Sequence, residues 1–504
     1  MAKKKMWQLI MDKDMNEVAK GLEEYRRVRE LNNHKKFAQV AERYYESKHD
    51  ILDSRIFYLD GSGKVVEDTT ASNIQIPHPF FMEQIDQKVQ HLLSNGVQFK
   101  TENNELEQYL YDYFDDDFNL FMNEIVEGAS VKGVEFAYAR TTNDDQLKFE
   151  VSDYLTTDSI VDNYKNEVAV VRTYIRIVDD EDGKPQDTEY AEVYTADETK
   201  YFVYDSKENK YILDVTKEPN PRGHIVALND DGVILSRSYG RIPFYRLSNN
   251  RKEQSDLVPI KALIDDYDRQ ASFLSNDLQD FGSPIFIVHG AQADSIENIR
   301  TNLRSRKMLK TSKAPNDKGG QGVDILSHEI PVEARRTKLD VDREAIYKFG
   351  LAFDSSHNDG SNLTNVAIQS RYSLLNLKCN KIEPRVRSLI KWCLELILED
   401  IKRLHGKTFD INDIDIILER NTIVNEKDLA DTELIEAQAK QTLINTLVMS
   451  APYIDDDTLL KQICTTLEID YDEVKKLVLE QASQPFEDES ELVDNDQETE
   501  QDSE

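Results

Sequence analysis

A regular stripe of apolar residues between positions 257 and 281 is the feature that most constrains the fold. Successive members are alternately three and four residues apart, which is the spacing of one continuous apolar face on a long helix. At 1.5 Å per residue the helix would be about 37 Å long, and the Gly282-Ser283-Pro284 sequence would end it. The stripe consists of Leu257, Ile260, Ile264, Tyr267, Ala271, Leu274, Leu278 and Phe281.

The chain before this stripe divides into a helical part and a strand-rich part. Three- and four-residue apolar spacing predicts helices over Asp14–Tyr45, Phe80–Leu93 and Glu105–Glu127, with Ile76-Pro77-His78-Pro79 as a break. From Val134 to about Val215 the apolar period changes to two, with turn residues between short segments. An antiparallel β meander is therefore predicted there.

The chain after the stripe is mainly helical. A small mixed insert that contains a helix over Ser295–Arg306 is predicted over residues 284–330, followed by a charged helix over Val332–Phe349 and a polar loop. A long helix then covers Asn365–Leu404, and Pro384 inside it predicts a bend. The remaining helices are predicted at Glu426–Met449, Asp456–Leu467 and Tyr471–Gln481, before an acidic, disordered tail over residues 483–504. The fold class is α+β, mainly helical.

The charge of the chain limits how it could interact with nucleic acid. There are 96 Asp and Glu residues against 62 Lys and Arg residues, for a formal net charge of −34. Tight binding of phosphate needs clustered basic residues, so this balance argues against a protein that grips DNA. It is compatible with a wall past which DNA slides, because like charge repels phosphate. The alternative is that the acidic surface only keeps the protein soluble.

Other sequence features argue against membrane, metal and catalytic roles. No run of about 18 apolar residues occurs, and the N-terminus lacks the pattern of a secretory signal. The three cysteines have no CxxC spacing, which is typical of a reduced, intracellular protein without a zinc site. The nine histidines are scattered, with no acid–base partner at a meaningful spacing. No catalytic residue, metal or cofactor is therefore expected.

Two kinds of segment could suggest an enzyme. Gly406-Lys407-Thr408 resembles the end of a phosphate loop, but Ile401 occupies the position of the first glycine. The runs Asp115–Asp117 and Asp455–Asp457 could hold Mg²⁺. Consecutive helical residues point in different directions, so helix ends and solvated faces are the simpler interpretation of both runs.

The long helix carries a basic stripe. Arg371, Lys378 and Arg385 are seven residues apart and so share one face of the helix. Two interpretations remain open: ion pairs with a neighbouring acidic surface, including that of another subunit, and contact with DNA phosphates.

The order of several segments resembles the portal proteins of tailed phages, especially the long form found in siphophages of Gram-positive hosts. The resemblance runs over roughly residues 40 to 405, and the last hundred residues match weakly. The segments are Tyr44–Leu52, Ile76–Phe81, Asp86–Val89, Gly240–Phe244, Asp256–Phe281, Glu329–Ala334 and Arg371–Lys378.

The resemblance implies a ring of about twelve copies at one capsid vertex, through which double-stranded DNA is packaged and ejected. It implies terminase, scaffolding and major capsid proteins, and head-completion or connector proteins as partners. The protein would belong to the virion after assembly in the host cytoplasm. The implied regions are a wing (1–255), stem helices (256–281 and 331–350) packed through the apolar stripe, a clip (282–330), a tunnel loop (351–365), a long kinked wing helix (366–405) and a crown (406–482).

The polar loop after the second stem helix falls where the family places its narrowest ring around DNA. It is small, contains Gly360, and has no Lys or Arg that would trap phosphate. Without the resemblance an ordinary helix-to-helix connection would be the preferred interpretation. Its residues are Asp354, Ser355, Ser356, His357, Asn358, Asp359, Gly360, Ser361 and Asn362.

Two rival hypotheses belong to other classes. One is a metal-dependent nuclease or terminase-like enzyme that uses the acidic runs. The other is a minor head adaptor protein that does not form a ring, which the pair of stem-like helices disfavours.

Overall fold

The chain forms two units, one from residues 1–358 and 369–422 and the other from residues 359–368 and 423–504. The computed structural model describes residues 4–60, 62–69, 71–142, 145–179, 183–228, 234–281, 285–289, 298, 302, 307–311, 322–326, 330–354, 365–420, 426–450, 454–467, 469–471 and 474–476.

Six helices precede the strand-rich part of the larger unit. Two predicted helices, Asp14–Tyr45 and Glu105–Glu127, are each divided in two. Asn32 and Asp115 cause the breaks, because each caps the second helix with its side-chain oxygen. The helices are α1 Met6–Ile10, α2 Met15–Glu30, α3 Asn33–Tyr45, α4 Phe80–Leu92, α5 Asn104–Tyr113 and α6 Asp116–Lys132.

The strands form small, mostly antiparallel sheets. In chain order they are β1 Phe57–Leu59, β2 Val65–Glu67, β3 Gln98–Lys100, β4 Val134–Thr141, β5 Leu147–Ser152, β6 Thr157–Val161, β7 Glu167–Asp179, β8 Pro185–Tyr194, β9 Thr199–Asp205, β10 Lys210–Leu213, β11 Ile225–Leu228, β12 Ile234–Arg237, β13 Phe244–Ser248, β14 Ile285–His289, β15 Met308–Thr311, β16 Gly322–Leu326 and β17 Asp415–Ile417.

The predicted meander is confirmed for five strands. They lie in the order β10-β9-β8-β7-β6, and every neighbouring pair is antiparallel. The prediction was wrong to include β4 and β5, which form a separate three-stranded sheet in the order β13-β4-β5. A period of two identifies a strand but not its partner, and here the partner β13 is about a hundred residues further along the chain.

Two helices follow the sheets, α7 Lys261–Phe281 and α8 Val332–Gly350. Helix α7 begins four residues later than the apolar stripe, because residues 257–260 form turns. It packs against α8. Between the two helices, β14 pairs with β15 in parallel and with β16 antiparallel. The predicted helix over residues 295–306 lies outside the described residues except for Asn298 and Asn302.

The longest helix is α9, Asn365–His405, and it continues through Pro384. Proline has no N–H to donate, which is the physical basis for the predicted bend. In the smaller unit, α10 Glu426–Met449 and α11 Asp456–Leu467 pack against each other, and both have the predicted bounds. The predicted helix over 471–481 is described only in part, and the acidic tail over residues 483–504 lies outside the described residues.

The main core of the larger unit is built around α4, α6 and α9. Ile85 on α4, Ile125 on α6 and Ile390 on α9 are fully buried members of this core. A second core lies between α2 and the five-stranded sheet, where Leu22 and Val171 are fully buried. Among the helices of the described ranges, none has the length and apolar content needed to cross a bilayer.

Candidate functional site

Helix α7 holds an irregular segment of the chain, residues 72–78, through a row of polar side chains. The Ile74 N–H donates to Asn276 Oδ1 (2.6 Å), and the Ile76 N–H donates to Ser272 Oγ (3.1 Å). The His78 N–H donates to Asp268 Oδ1 (3.0 Å). Every second residue of the segment meets every fourth residue of the helix. Two residues of extended chain span about 6.6 Å, and four residues of helix span about 6 Å. The spacing of the N–H donors therefore matches the spacing of the side chains that accept from them.

Asp268 is the end point of this row and is fully buried. Its Oδ1 also lies 2.8 Å from His78 Nδ1, and its Oδ2 lies 2.6 Å from Nδ1 of the buried His49. The other ring nitrogen of His49 faces the Tyr44 carbonyl oxygen at 3.2 Å. These partners are too distant in sequence for residue spacing to reveal them. Two histidines share one buried carboxylate, at sequence separations of 190 and 219 residues.

The N-terminal end of α7 makes a second polar contact with the same part of the chain. The Lys261 ammonium donates to Asp50 (2.6 Å), Asp265 (2.8 Å) and the Tyr44 hydroxyl (3.0 Å). Burial opposes the charge of Lys261, but these hydrogen bonds raise its pKa above the usual lysine value. The Tyr44 ring stacks on His49, with ring centroids 4.4 Å apart. Residues 44–50 and α7 therefore form one connected network.

Two ion pairs join α7 and α8. Arg335 of α8 lies 2.5 Å from Asp277, and Lys338 lies 2.7 Å from Asp266. At the core end of the pair, the Phe80 ring meets Tyr267 of α7 and Tyr347 of α8 edge-on, with centroids 4.9 and 5.9 Å apart. The predicted pairing of these two helices is thus observed, although charged residues supply much of the contact.

The apolar stripe of α7 is covered unevenly within one chain. Leu257, Ile260 and Ile264 are fully buried, and Tyr267 and Leu274 are partly buried. Leu278, in contrast, is 50% exposed. In the C-terminal half of α7, the buried residues are instead the polar ones that hold residues 72–78. Apolar surface therefore remains exposed to solvent near the C-terminal end of α7.

The exit from α8 is fixed by α4. The Phe353 N–H donates to Gln87 Oε1 (3.1 Å), and Gln87 Nε2 donates to the Phe353 carbonyl (2.9 Å). One turn earlier on α4, Glu83 accepts from the Tyr347 hydroxyl at 2.6 Å. Burial and the Glu83 carboxylate raise the pKa of Tyr347. Gln87 therefore holds the backbone at the point where the predicted tunnel loop begins.

The start of α9 is held by the next turn of α4. His91 Nε2 lies 2.8 Å from Asn376 Oδ1, and the His91 ring stacks on Tyr372. Tyr372 also stacks on Phe353, with centroids 5.2 Å apart. Both flanks of the predicted loop therefore contact α4. Of the loop itself, Asp354 is described and pairs with Arg343 at 2.8 Å; residues 355–362 lie outside the described residues.

The basic stripe on α9 is turned inward at its centre. Lys378 is 7% exposed, and its ammonium lies 3.5 Å from Asp256. The same carboxylate accepts from the buried Lys88 of α4 at 2.9 Å. Burial alone would raise the pKa of Asp256, but Lys378 and Lys88 hold it well below the usual range. Of the two interpretations of the stripe, Lys378 shows the ion pair, and its acidic partner belongs to its own chain.

The other members of the basic stripe differ from Lys378. Arg385 is partly buried and donates to Ser248 Oγ at 3.1 Å, so it too has a partner within its own chain. The side chain of Arg371 lies outside the described residues.

The segments that suggested an enzyme have structural uses. Asp115 caps α6, and Asp455 accepts from the Thr458 N–H at 2.9 Å. Gly406 follows α9 in a left-handed conformation (φ 68°), where glycine commonly ends a helix. Lys407 pairs with Glu105 at 2.9 Å. In the described ranges no group of three or more potential metal ligands occurs.

Replacing Asp268 with Asn tests the row of polar contacts. The amide would present a donor to N–H groups that now meet a buried carboxylate, so we expect the free energy of unfolding to fall by about 3 kcal/mol. Urea denaturation measures it. Asp266→Asn is the matched control, since Asp266 makes a surface ion pair with Lys338 and should cost less than about 1 kcal/mol. Equal, small losses in the two variants would contradict the assignment.

Replacing Gln87 with Leu tests how the loop is held. Without the paired hydrogen bonds, the Phe353 amide should exchange with solvent about tenfold faster, as expected for one lost hydrogen bond. Hydrogen–deuterium exchange of the peptide spanning residues 347–354 measures this. Gln90→Leu is the control, because Gln90 lies exposed on the same helix. Unchanged exchange in Gln87→Leu would show that other contacts fix the loop.

The family model and two relatives all point to the same protein family. Residues 28–484 match the model of the family described as "Phage portal protein, SPP1 Gp6-like". The portal protein of Bacillus phage SPP1 is 27% identical over 420 residues, covering 82% of this chain and 80% of that protein. The portal protein of Clostridium phage phiCD119 is 26% identical over 432 residues, covering 82% of this chain and 89% of that protein.

Among solved structures, a chain from the neck of a native GTA particle computed with C12 symmetry is 11% identical, with a TM-score of 0.35. The match covers 77% of this chain and 89% of that chain. The family model extends over most of the sequence, including every segment that carried the resemblance. The chain therefore belongs to the SPP1 Gp6-like family of phage portal proteins.

Proposed function

We propose that this portal protein is one subunit of a ring of about twelve copies, through which double-stranded DNA enters and leaves a phage capsid. The match to the portal family over residues 28–484 carries the proposal. Portal proteins are structural components of the virion rather than a family of enzymes. Assembly would take place in the host cytoplasm. The ring would also be a docking platform for terminase, for scaffolding and major capsid proteins, and for head-completion proteins.

The regions of the ring are proposed from the order of the elements. Residues 1–255 and 366–405 would form the wing, α7 and α8 the stem, residues 282–330 the clip, and residues 351–365 the tunnel loop. Strand β17 pairs with β3 in the larger unit, so the crown would begin at about residue 423 rather than 406 and extend to 482.

The uneven cover of α7 supports a stem built by several chains. A half-exposed Leu278, with the similarly exposed Phe273 on the same helix, leaves apolar area open in a single chain. Burial of apolar area contributes about 25 cal/mol per Å². Covering this area with a neighbouring subunit would therefore stabilise the contact between the two chains. The apolar residues at the N-terminal end of α7 are already buried in their own chain. This end of the helix is therefore fixed and would set the direction of the stem.

The acidic composition supports passive movement of DNA. A net charge of −34 in each chain would repel phosphate from the wall. The sequence of the proposed tunnel loop adds no Lys or Arg. Because α4 holds both flanks of this loop, the loop could shift as DNA advances while its ends stay fixed.

The purified chain is expected to form rings. Multi-angle light scattering should give a mass of roughly 700 kDa for about twelve chains of 58.3 kDa, and negative-stain images should show a central hole. The adaptor hypothesis predicts a monomer or dimer instead. The enzyme hypothesis predicts metal-dependent DNA cleavage that is lost in Asp115→Ala or Asp455→Ala. A stable monomer at high concentration and moderate salt would contradict the proposal.

A polar substitution at the open end of the stem tests the subunit contact. Leu278→Asn should reduce the fraction of rings at a given protein concentration, because it removes apolar area that neighbours would cover. Gln279→Asn is the control, since Gln279 is exposed and polar beside it. Size-exclusion chromatography with light scattering compares the two. Equal ring fractions in both variants would place the contact elsewhere on the subunit.

A further inference from the structure

A cavity of about 500 Å³ lies between α4, the start of α9 and the C-terminal end of α8. Lys88 and Lys378 form its wall, together with residues 249–252, 254–256, 258–259 and 349–351, the last of which end α8. The cavity therefore adjoins the segment proposed as the tunnel loop. All of its lining residues belong to the larger unit.

The charge of this cavity is opposite to that of the chain. Its lining includes five cationic side chains but a single carboxylate, that of Asp256. The cations at its rim are exposed, and they make no ion pair within the described ranges: Arg251, Lys252 and Lys381. A concentration of positive charge is unexpected in a chain with a net charge of −34.

The buried lysines are only partly neutralised. Asp256 uses one oxygen to accept from Lys88 (2.9 Å) and the other to accept from Asn249 Nδ2 (2.7 Å). Lys378 is 3.5 Å from this carboxylate, beyond the usual length of a charge-assisted hydrogen bond. Burial lowers the pKa of Lys378, and the Asp256 carboxylate only partly opposes this shift. An anion in the cavity would supply the missing acceptor.

We propose that this cavity binds a phosphate group. Several phosphate oxygens can accept hydrogen bonds at once from Lys378 in the wall and Lys381 at the rim. The Asp256 carboxylate would remain bound to Lys88 and would orient the lysines. The phosphate could be inorganic phosphate or a phosphodiester of DNA, and either source offers the same oxyanion.

Binding of inorganic phosphate by the full-length protein tests the proposal. Isothermal titration calorimetry at neutral pH and constant ionic strength should show saturable binding of phosphate. Lys381→Gln should weaken binding roughly fivefold by removing one exposed charge, and Lys378→Met should abolish it. Lys391→Gln is the control, because Lys391 is exposed on the same helix outside the cavity. Absence of binding in the natural protein, or equal affinities in Lys381→Gln and Lys391→Gln, would overturn the proposal.

Short double-stranded DNA then distinguishes the two sources. Two results together would assign the cavity to the DNA backbone. DNA displaces phosphate from the natural protein, and Lys391→Gln binds DNA as tightly as the natural protein does. Phosphate binding without competition would assign it to free phosphate, which still supports the site. Light scattering of the same samples reports ring formation independently. A failure of the ring proposal is thereby distinguished from a failure of the phosphate site.

Discussion

The hydrogen bonds between α7 and residues 72–78 are the interaction on which the placement of α7, the first helix of the proposed stem, depends. A segment without a strand partner would leave its backbone N–H groups unsatisfied when buried, at a cost of about 1–3 kcal/mol each. Asp268, Ser272 and Asn276 supply those acceptors from successive turns of one helix. Because the polar face of α7 is used in this way, Leu278 on its apolar face stays half exposed in the single chain.

The segments that resemble portal proteins are distant in sequence but converge in space at two carboxylates. At Asp268, residues 44–52, residues 76–81 and α7 meet through His49 and His78. At Asp256, residues 86–89 and residues 371–378 meet through Lys88 and Lys378. The two sites differ in their electrostatic balance. Asp268 lies between two imidazoles, whereas Asp256 is shared by two ammonium groups, which leaves a local excess of positive charge.

Local patterns predicted the elements better than their partners. The apolar period predicted α7, α10 and α11, and alternation predicted the meander, because both signals are contained in short windows. The contacts of α7 with residues 72–78 join positions 190 to 208 residues apart, and nothing in either segment specifies the other. Seven-residue spacing correctly placed Lys378 and Arg385 on one face of α9. It could not indicate that Asp256 would draw Lys378 into the interior.

Residue-resolved hydrogen–deuterium exchange over residues 73–78 of the unmodified protein tests whether α7 holds this segment through its polar row. Electron-transfer fragmentation can separate the individual amides. We expect an alternating pattern, with slow exchange at Ile74, Ile76 and His78 and fast exchange at Asn73 and Gln75. Uniformly fast exchange would contradict it, because residues 72–78 would then not be held by α7. Uniformly slow exchange would also contradict it, since it would require partners other than the polar row on that helix.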